Sequence, residues 1–186
     1  VRVCDPGAAW WLKTHHPNIA LQLIVETGNH NLEALQGWCD IFSDSLERLI
    51  LSIELPEKKL IEYCQKLPVG CEILGVGQIL LFYSPRSLLS PHLLDPDSEK
   101  KLPLQTTVSS EDSNNRPFST LETAHGTFMF LDKDQFILDK LEGLEQNGLH
   151  TVCLDLRHLG QNGDIAVDID KICTHILTDP VSLRKN

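Results

Sequence analysis

The chain has 186 residues, of which 41% are hydrophobic and 23% charged, and its formal net charge is -10. That length suffices for one domain with a sizeable core. No uninterrupted apolar stretch approaches the ~20 residues that cross a bilayer, and an acidic chain without a Lys/Arg stripe interleaved with aromatics is a poor match for a phosphate backbone.

A strand–helix alternation runs from the first residue. VRVC (1–4) reads as a strand, DPG as its turn, and AAWWLKTHH as a helix. IALQLIV (19–25) is a second apolar run, followed by TGNHN and the helical NLEALQGWCDIF. RLILSI (48–53) is a third and leads into PEKKLIEYCQKL, where Pro56 suits a first helical turn and Leu60, Ile61 and Cys64 recur at helical spacing. CEILGV (71–76) is a fourth. Their nearly continuous apolar character predicts strands covered on both faces.

The rhythm then breaks. GQILLFYSPRSLLS (77–90) runs through an apolar stretch into a Tyr-Ser-Pro-Arg turn, and residues 95–117 form a polar, flexible loop rich in Pro, Ser, Asp and Asn. PFSTLETAHGTFMFLD predicts a hairpin about Ala124-His125-Gly126. Asp132 is a candidate N-cap for a helix over KDQFILDKLEGLEQN, stopped by Gly148. HTVCLDL (150–156) is a fifth buried strand, and VDIDKICTHIL a final helix.

Five parallel-type strands with interposed helices predict an α/β fold, part of a TIM-like (β/α) barrel with a loop and β-hairpin excursion near 77–131. The alternative is an open doubly wound sheet. Residues 1–186 read as a single domain. Its strand-like start at Val1, rather than a methionine, suits the later portion of a larger barrel.

The six cysteines include no C-x-x-C pair, and several lie in apolar segments. This suits reduced, buried thiols and a cytoplasmic setting. The eight histidines include no H-x-x-x-H, so no metal site is expected. No G-x-S-x-G elbow surrounds Ser84 or Ser87, and GVG at 75–77 lacks the rest of a phosphate loop. Glu54 lies at the carboxyl end of a strand, where barrel enzymes place their chemistry, as a general base, a cation ligand or a helix-entry carboxylate. Arg86 offers a planar fork to a carboxylate of a substrate or of a neighbouring loop. Asp5 and Asp155 also stand at strand ends and with Glu54 would line one mouth.

Six stretches in order resemble the collagenase-like peptidase family of unknown catalytic type, family U-thirty-two. They are VRVCDPGAAWWLKTHHPNIALQL, VETGNHNLEAL, LILSIELPEKKL, GQILLFYSPRSLLS, RPFSTLETAHGTFMFLDKDQFIL and GLHTVCLDLR. The resemblance implies a protease acting on a peptide or protein, with Glu54, Arg86 and Tyr83 as catalytic candidates. Asp5, Asp155 and Arg157 would then contact substrate. Several positions depart from the family pattern: Val76 replaces a histidine, Ile53 an arginine, and Leu80 and Ser87 cysteines that hold an iron–sulfur cluster in many members. Thiolates ligate such clusters, so none is expected here. The site therefore reads as modified or degenerate. The alternative is a non-catalytic binding or partner subunit related to members that hydroxylate RNA or quinone precursors. No nucleic-acid or membrane partner is expected of this piece; hetero- and homo-oligomers both stay open.

Overall fold

The computed structural model of the chain describes residues 1–26, 30–94, 102–109, 116–131 and 133–155, together with Thr174 and Thr178. The proposed cap Asp132, the candidate Arg157 and nearly all of the predicted last helix lie outside the described residues.

The first part follows the predicted alternation. β1 (Arg2–Val3) leads to α1 (Pro6–His15), β2 (Leu21–Ile24) to α2 (Leu32–Phe42), and β3 (Leu46–Ile50) to α3 (Glu57–Lys66). Each helix starts and stops for a local reason. Asp5 caps α1 by accepting from the Ala8 N–H at 2.6 Å with Pro6 opening the first turn, and Asn31 caps α2 through the Glu33 N–H at 2.9 Å. Pro17 and Pro68 stand just beyond α1 and α3, where a helix cannot continue. The buried positions Leu35, Cys39 and Phe42 of α2, and Leu60, Tyr63 and Cys64 of α3, fall at helical spacing on one face.

β4 (Gly70–Gly77) continues the sheet, and β5 (Leu80–Ser84) leaves it. A short helix α4 (Ser90–Leu93) precedes β6 (Leu104–Ser109), β7 (Pro117–Thr123) and β8 (Gly126–Phe130). β9 (Gln135–Phe136), α5 (Leu141–Gln146) and β10 (Leu149–Leu154) follow. The main sheet has the order β1-β2-β3-β4-β10, every one of these pairs parallel, with β9 added antiparallel to β4. The second sheet is antiparallel, in the order β5-β8-β7-β6. The chain is therefore α/β, with a parallel sheet and helices arranged as in part of a (β/α) barrel; the described strands do not close one.

Three expectations need correcting. The polar loop contains a strand: β6 pairs along its whole length with β7, from Leu104 opposite Glu122 to Ser109 opposite Pro117. Thr106, Thr107 and Val108 are good strand residues, and alternation of partly buried with exposed positions suits a half-covered sheet. The helix expected from Lys133 begins only at Leu141, because Gln135 and Phe136 pair with Gly77 and Val76 of β4 and a 3₁₀ turn at Leu138–Lys140 intervenes. The third correction concerns the faces of the main sheet. One face, with Leu21, Leu23, Leu49, Cys71 and Ile73, joins α2, α3 and α5 in a single hydrophobic core. The opposite face is not apolar throughout, since it carries Arg2, Gln22, Arg48 and Glu72.

Candidate active site at the carboxyl rim

On this polar inner face Glu72 is 1% exposed, and its Oε2 accepts from Arg2 at 2.8 Å and from Arg48 at 2.9 Å. Arg2 also reaches Gln22 Oε1 at 3.1 Å, and Gln22 donates to Glu47 at 3.3 Å. β1 and β4 are three strand spacings apart, about 14 Å in a flat sheet. The direct Arg2–Glu72 bond over that span takes two long side chains reaching toward each other across this face, a reach that a sheet curled as in a barrel segment shortens.

Toward the carboxyl ends of the strands the chemistry changes. Glu26 follows β2; partial burial of its carboxyl and the nearby Glu72 charge raise its pKa, with Arg2 pulling the other way. The Cys153 thiol on β10 is pushed up by burial and then by Glu72, with smaller influences from Arg2, Asp155 and Glu26. These groups therefore share one electrostatic neighbourhood. Asp155 joins it at the end of β10, its N–H bonded to Val76 O at 2.8 Å. A side chain at Gly77 would put its Cβ 2.7 Å from that of Asp155, and Gly77 has φ +151, so only glycine lets the two strand ends approach.

The rim beyond β3 holds a second cluster. Ser52 Oγ accepts from the Glu54 N–H at 3.2 Å and Leu55 N–H closes the turn onto Ser52 O at 3.3 Å, which swings Glu54 outward. His30 immediately precedes the α2 cap, and its carbonyl accepts from the buried Tyr63 hydroxyl of α3 at 2.6 Å. Its ring Nε2 lies 3.0 Å from Ser52 Oγ and 3.2 Å from Glu54 Oε2. Glu54 makes no capping bond to α3; its described side-chain partner is His30.

The other candidates separate. Asp5 stands at the same rim, but its carboxylate is engaged in capping α1. Tyr83 and Arg86 belong to the second sheet and the turn after it. Tyr83 donates to His125 O at 2.9 Å and packs on Phe128 at 4.9 Å between ring centres. Ser84 Oγ is taken up by the Arg86 N–H at 3.2 Å. The backbone that follows is held by two buried residues: Thr127 accepts from Leu88 N–H at 3.0 Å, and Glu122 from Leu89 N–H at 2.7 Å and Ser90 N–H at 3.3 Å. The Tyr-Ser-Pro-Arg stretch is thus anchored architecture with an exposed arginine at its tip. Among the described contacts, none joins Tyr83 or Arg86 to Glu54.

Residues 1–160 match the family described as Peptidase family U32. The chain belongs to Peptidase family U32. Within that family it is 32% identical over 90 residues to tRNA hydroxylation protein P of Haemophilus influenzae, a match covering 48% of this chain. The match spans 19% of that relative's length. No solved structure matches the chain.

Two further features bear on the U32 site. Among the described residues no group of three or more His, Cys, Asp or Glu side chains could hold a metal ion. Of the described thiols Cys4 is exposed and Cys153 half-buried, while Cys39, Cys64 and Cys71 lie in the core, where Cys64 and Cys71 hydrogen-bond to each other. The sequence reading singled out Glu54 but missed His30, Ser52, Glu26 and the Arg2–Glu72–Arg48 group.

Proposed function

We propose that this U32 chain serves RNA modification, with its carboxyl rim binding and orienting the reacting part of a substrate, and is not a self-sufficient peptidase. What supports the branch is the similarity to tRNA hydroxylation protein P. The observation that carries the mechanistic part is the burial of Ser52. The hydroxyl that touches His30 belongs to a residue 1% exposed, so it serves as a partner of the ring and turn, not as a nucleophile open to a peptide bond. Ser84 is likewise used within its own turn. What remains at the rim is acid–base and hydrogen-bonding capacity: His30, Glu54, Glu26 and Asp155. With a net charge of -10, contacts to RNA phosphates fall to other surfaces or to a partner subunit.

The test is mass spectrometry of tRNA nucleosides from cells lacking the protein. Loss of a nucleoside carrying one added oxygen, restored by the wild-type gene, is the expected result. Unchanged tRNA, together with gelatin cleavage by the full-length protein that fails in Glu54→Ala, would instead favour the peptidase reading. That reading keeps Glu54, Arg86 and Tyr83 as its catalytic set.

A further inference from the structure

The contacts of the rim cluster favour one proton arrangement. Glu54 Oε2 lies 3.2 Å from His30 Nε2 as an ion-pair contact, and a carboxylate that close disfavours a lone pair on that nitrogen, so the ring hydrogen of a neutral His30 falls on Nε2. Ser52 Oγ, 3.0 Å from the same nitrogen, then accepts that hydrogen. Nδ1 then carries the lone pair, and among the described residues it has no hydrogen-bond partner, while the side chain is 41% exposed. Surface ion pairs by themselves hold little in place. The residue is held at its ring by Ser52 and Glu54 after β3 and at its carbonyl by Tyr63 of α3, and it directly precedes Asn31, the cap of α2.

We propose that His30 is a catalytic acid–base residue whose reacting atom is Nδ1, with Glu54 as its positioning residue. The arrangement mirrors the familiar carboxylate–histidine pair, with the two ring nitrogens exchanged. Resting on the RNA-modification reading above, the substrate group is a nucleobase N–H presented at the rim. In the step assigned to His30 that N–H bond breaks, its electron pair stays on the base, and the proton forms a new Nδ1–H bond. The resulting imidazolium is stabilised by Glu54. No electron is transferred in this step, and the same proton returns to the product.

Nitrogen-15 NMR of histidine-labelled full-length protein reads the arrangement directly, with His30 assigned by the signal missing in His30→Gln. The neutral ring is expected to be protonated at Nε2, and Glu54→Ala is expected to release a mixture of tautomers that Glu54→Asp largely restores. In cells, His30→Gln is expected to lower tRNA hydroxylation about 100-fold or more, the usual scale for loss of a general base. A neutral His30 protonated at Nδ1, or a tautomer indifferent to Glu54→Ala, overturns the proposal. So does wild-type hydroxylation in His30→Gln when the null strain has lost it. If the null strain keeps its hydroxylation, the RNA reading falls and the tautomer result alone decides the pair.

Discussion

Removing the Glu72 carboxylate is the sharpest test of the curled inner face. Glu72→Ala leaves two guanidinium groups without their shared partner, but the two losses are unequal. Arg48 is 14% exposed, and its Nε already lacks a hydrogen-bond partner among the described residues, so water cannot replace the lost bond well. Breaking a buried pair of this kind costs about 3–5 kcal/mol. Arg2 is 41% exposed, and screening by solvent limits its share to about 1 kcal/mol or less. The expectation for Glu72→Ala is therefore about 4 kcal/mol by urea denaturation, with Arg2→Ala near the lower figure. A double-mutant cycle between Arg48 and Glu72 should show most of the coupling, and the Arg2–Glu72 cycle little. A Glu72→Ala loss under about 1 kcal/mol, or Arg2→Ala as damaging as Arg48→Ala, would refute the placement of these groups on one curved face.

Gly126→Ala should cost about 1–3 kcal/mol, because φ is +127 there and a Cβ would run into the Ser84 carbonyl and lie 2.9 Å from Pro85 Cα; urea midpoints of the two proteins check it. Burial opposes ionisation of Glu122, yet hydrogen bonds from Ser90, Leu89 and Thr127 outweigh it and hold the carboxyl down from 4.5 to about 2. A carboxyl lowered on folding stabilises above its unfolded pKa and loses that contribution as pH falls. Wild type should therefore weaken between pH 4.5 and about 2 more steeply than Glu122→Gln, as read from stability against pH. Cys4 should react at once with a thiol reagent, whereas Cys39, buried and pushed up to about 11, should react together with Cys64 and Cys71 only on unfolding.

The parallel frame was legible because each strand–helix unit carries its own signals. Asp5 and Asn31 cap, Pro17 and Pro68 stop, and the apolar runs between them have strand length. The hairpin about Gly126 was legible for the same reason. β6 was hidden by composition, since its Gln-Thr-Thr-Val-Ser sequence is polar and its partner β7 supplies the order. β9 was hidden inside a helical period, and only the edge of β4 explains why Gln135 and Phe136 extend. The rim was half legible. Glu54 could be found from its strand end, but His30 was one of eight histidines, and its hydrogen-bond partner Ser52 lies 22 residues away. The usable signal was position: a histidine directly before a helix cap, in the turn that follows a strand. The inner-face group left a fainter trace, a single charge within each of RLILSI and CEILGV, and nothing local says that Arg48 and Glu72 meet.

These two clusters divide the strands into ends with different tasks. Arg2 and Arg48 neutralise Glu72 in the amino-terminal half of β4, where the described donors to the carboxylate come from β1 and from the adjacent β3. Past it, Glu26 and Cys153 are both held toward their neutral forms, and Glu72 contributes to each. Burial is the larger cause in both, and the structural carboxylate adds to it. His30 and Glu54 lie beyond the end of β3, fastened to α2 and α3 through Asn31 and Tyr63 and not through the inner face. The proposed His30–Glu54 pair is therefore mechanically separable from the inner-face group. Damage at Glu72 falls on the sheet and on Glu26, while damage at Glu54 falls on one imidazole ring and leaves the strands paired.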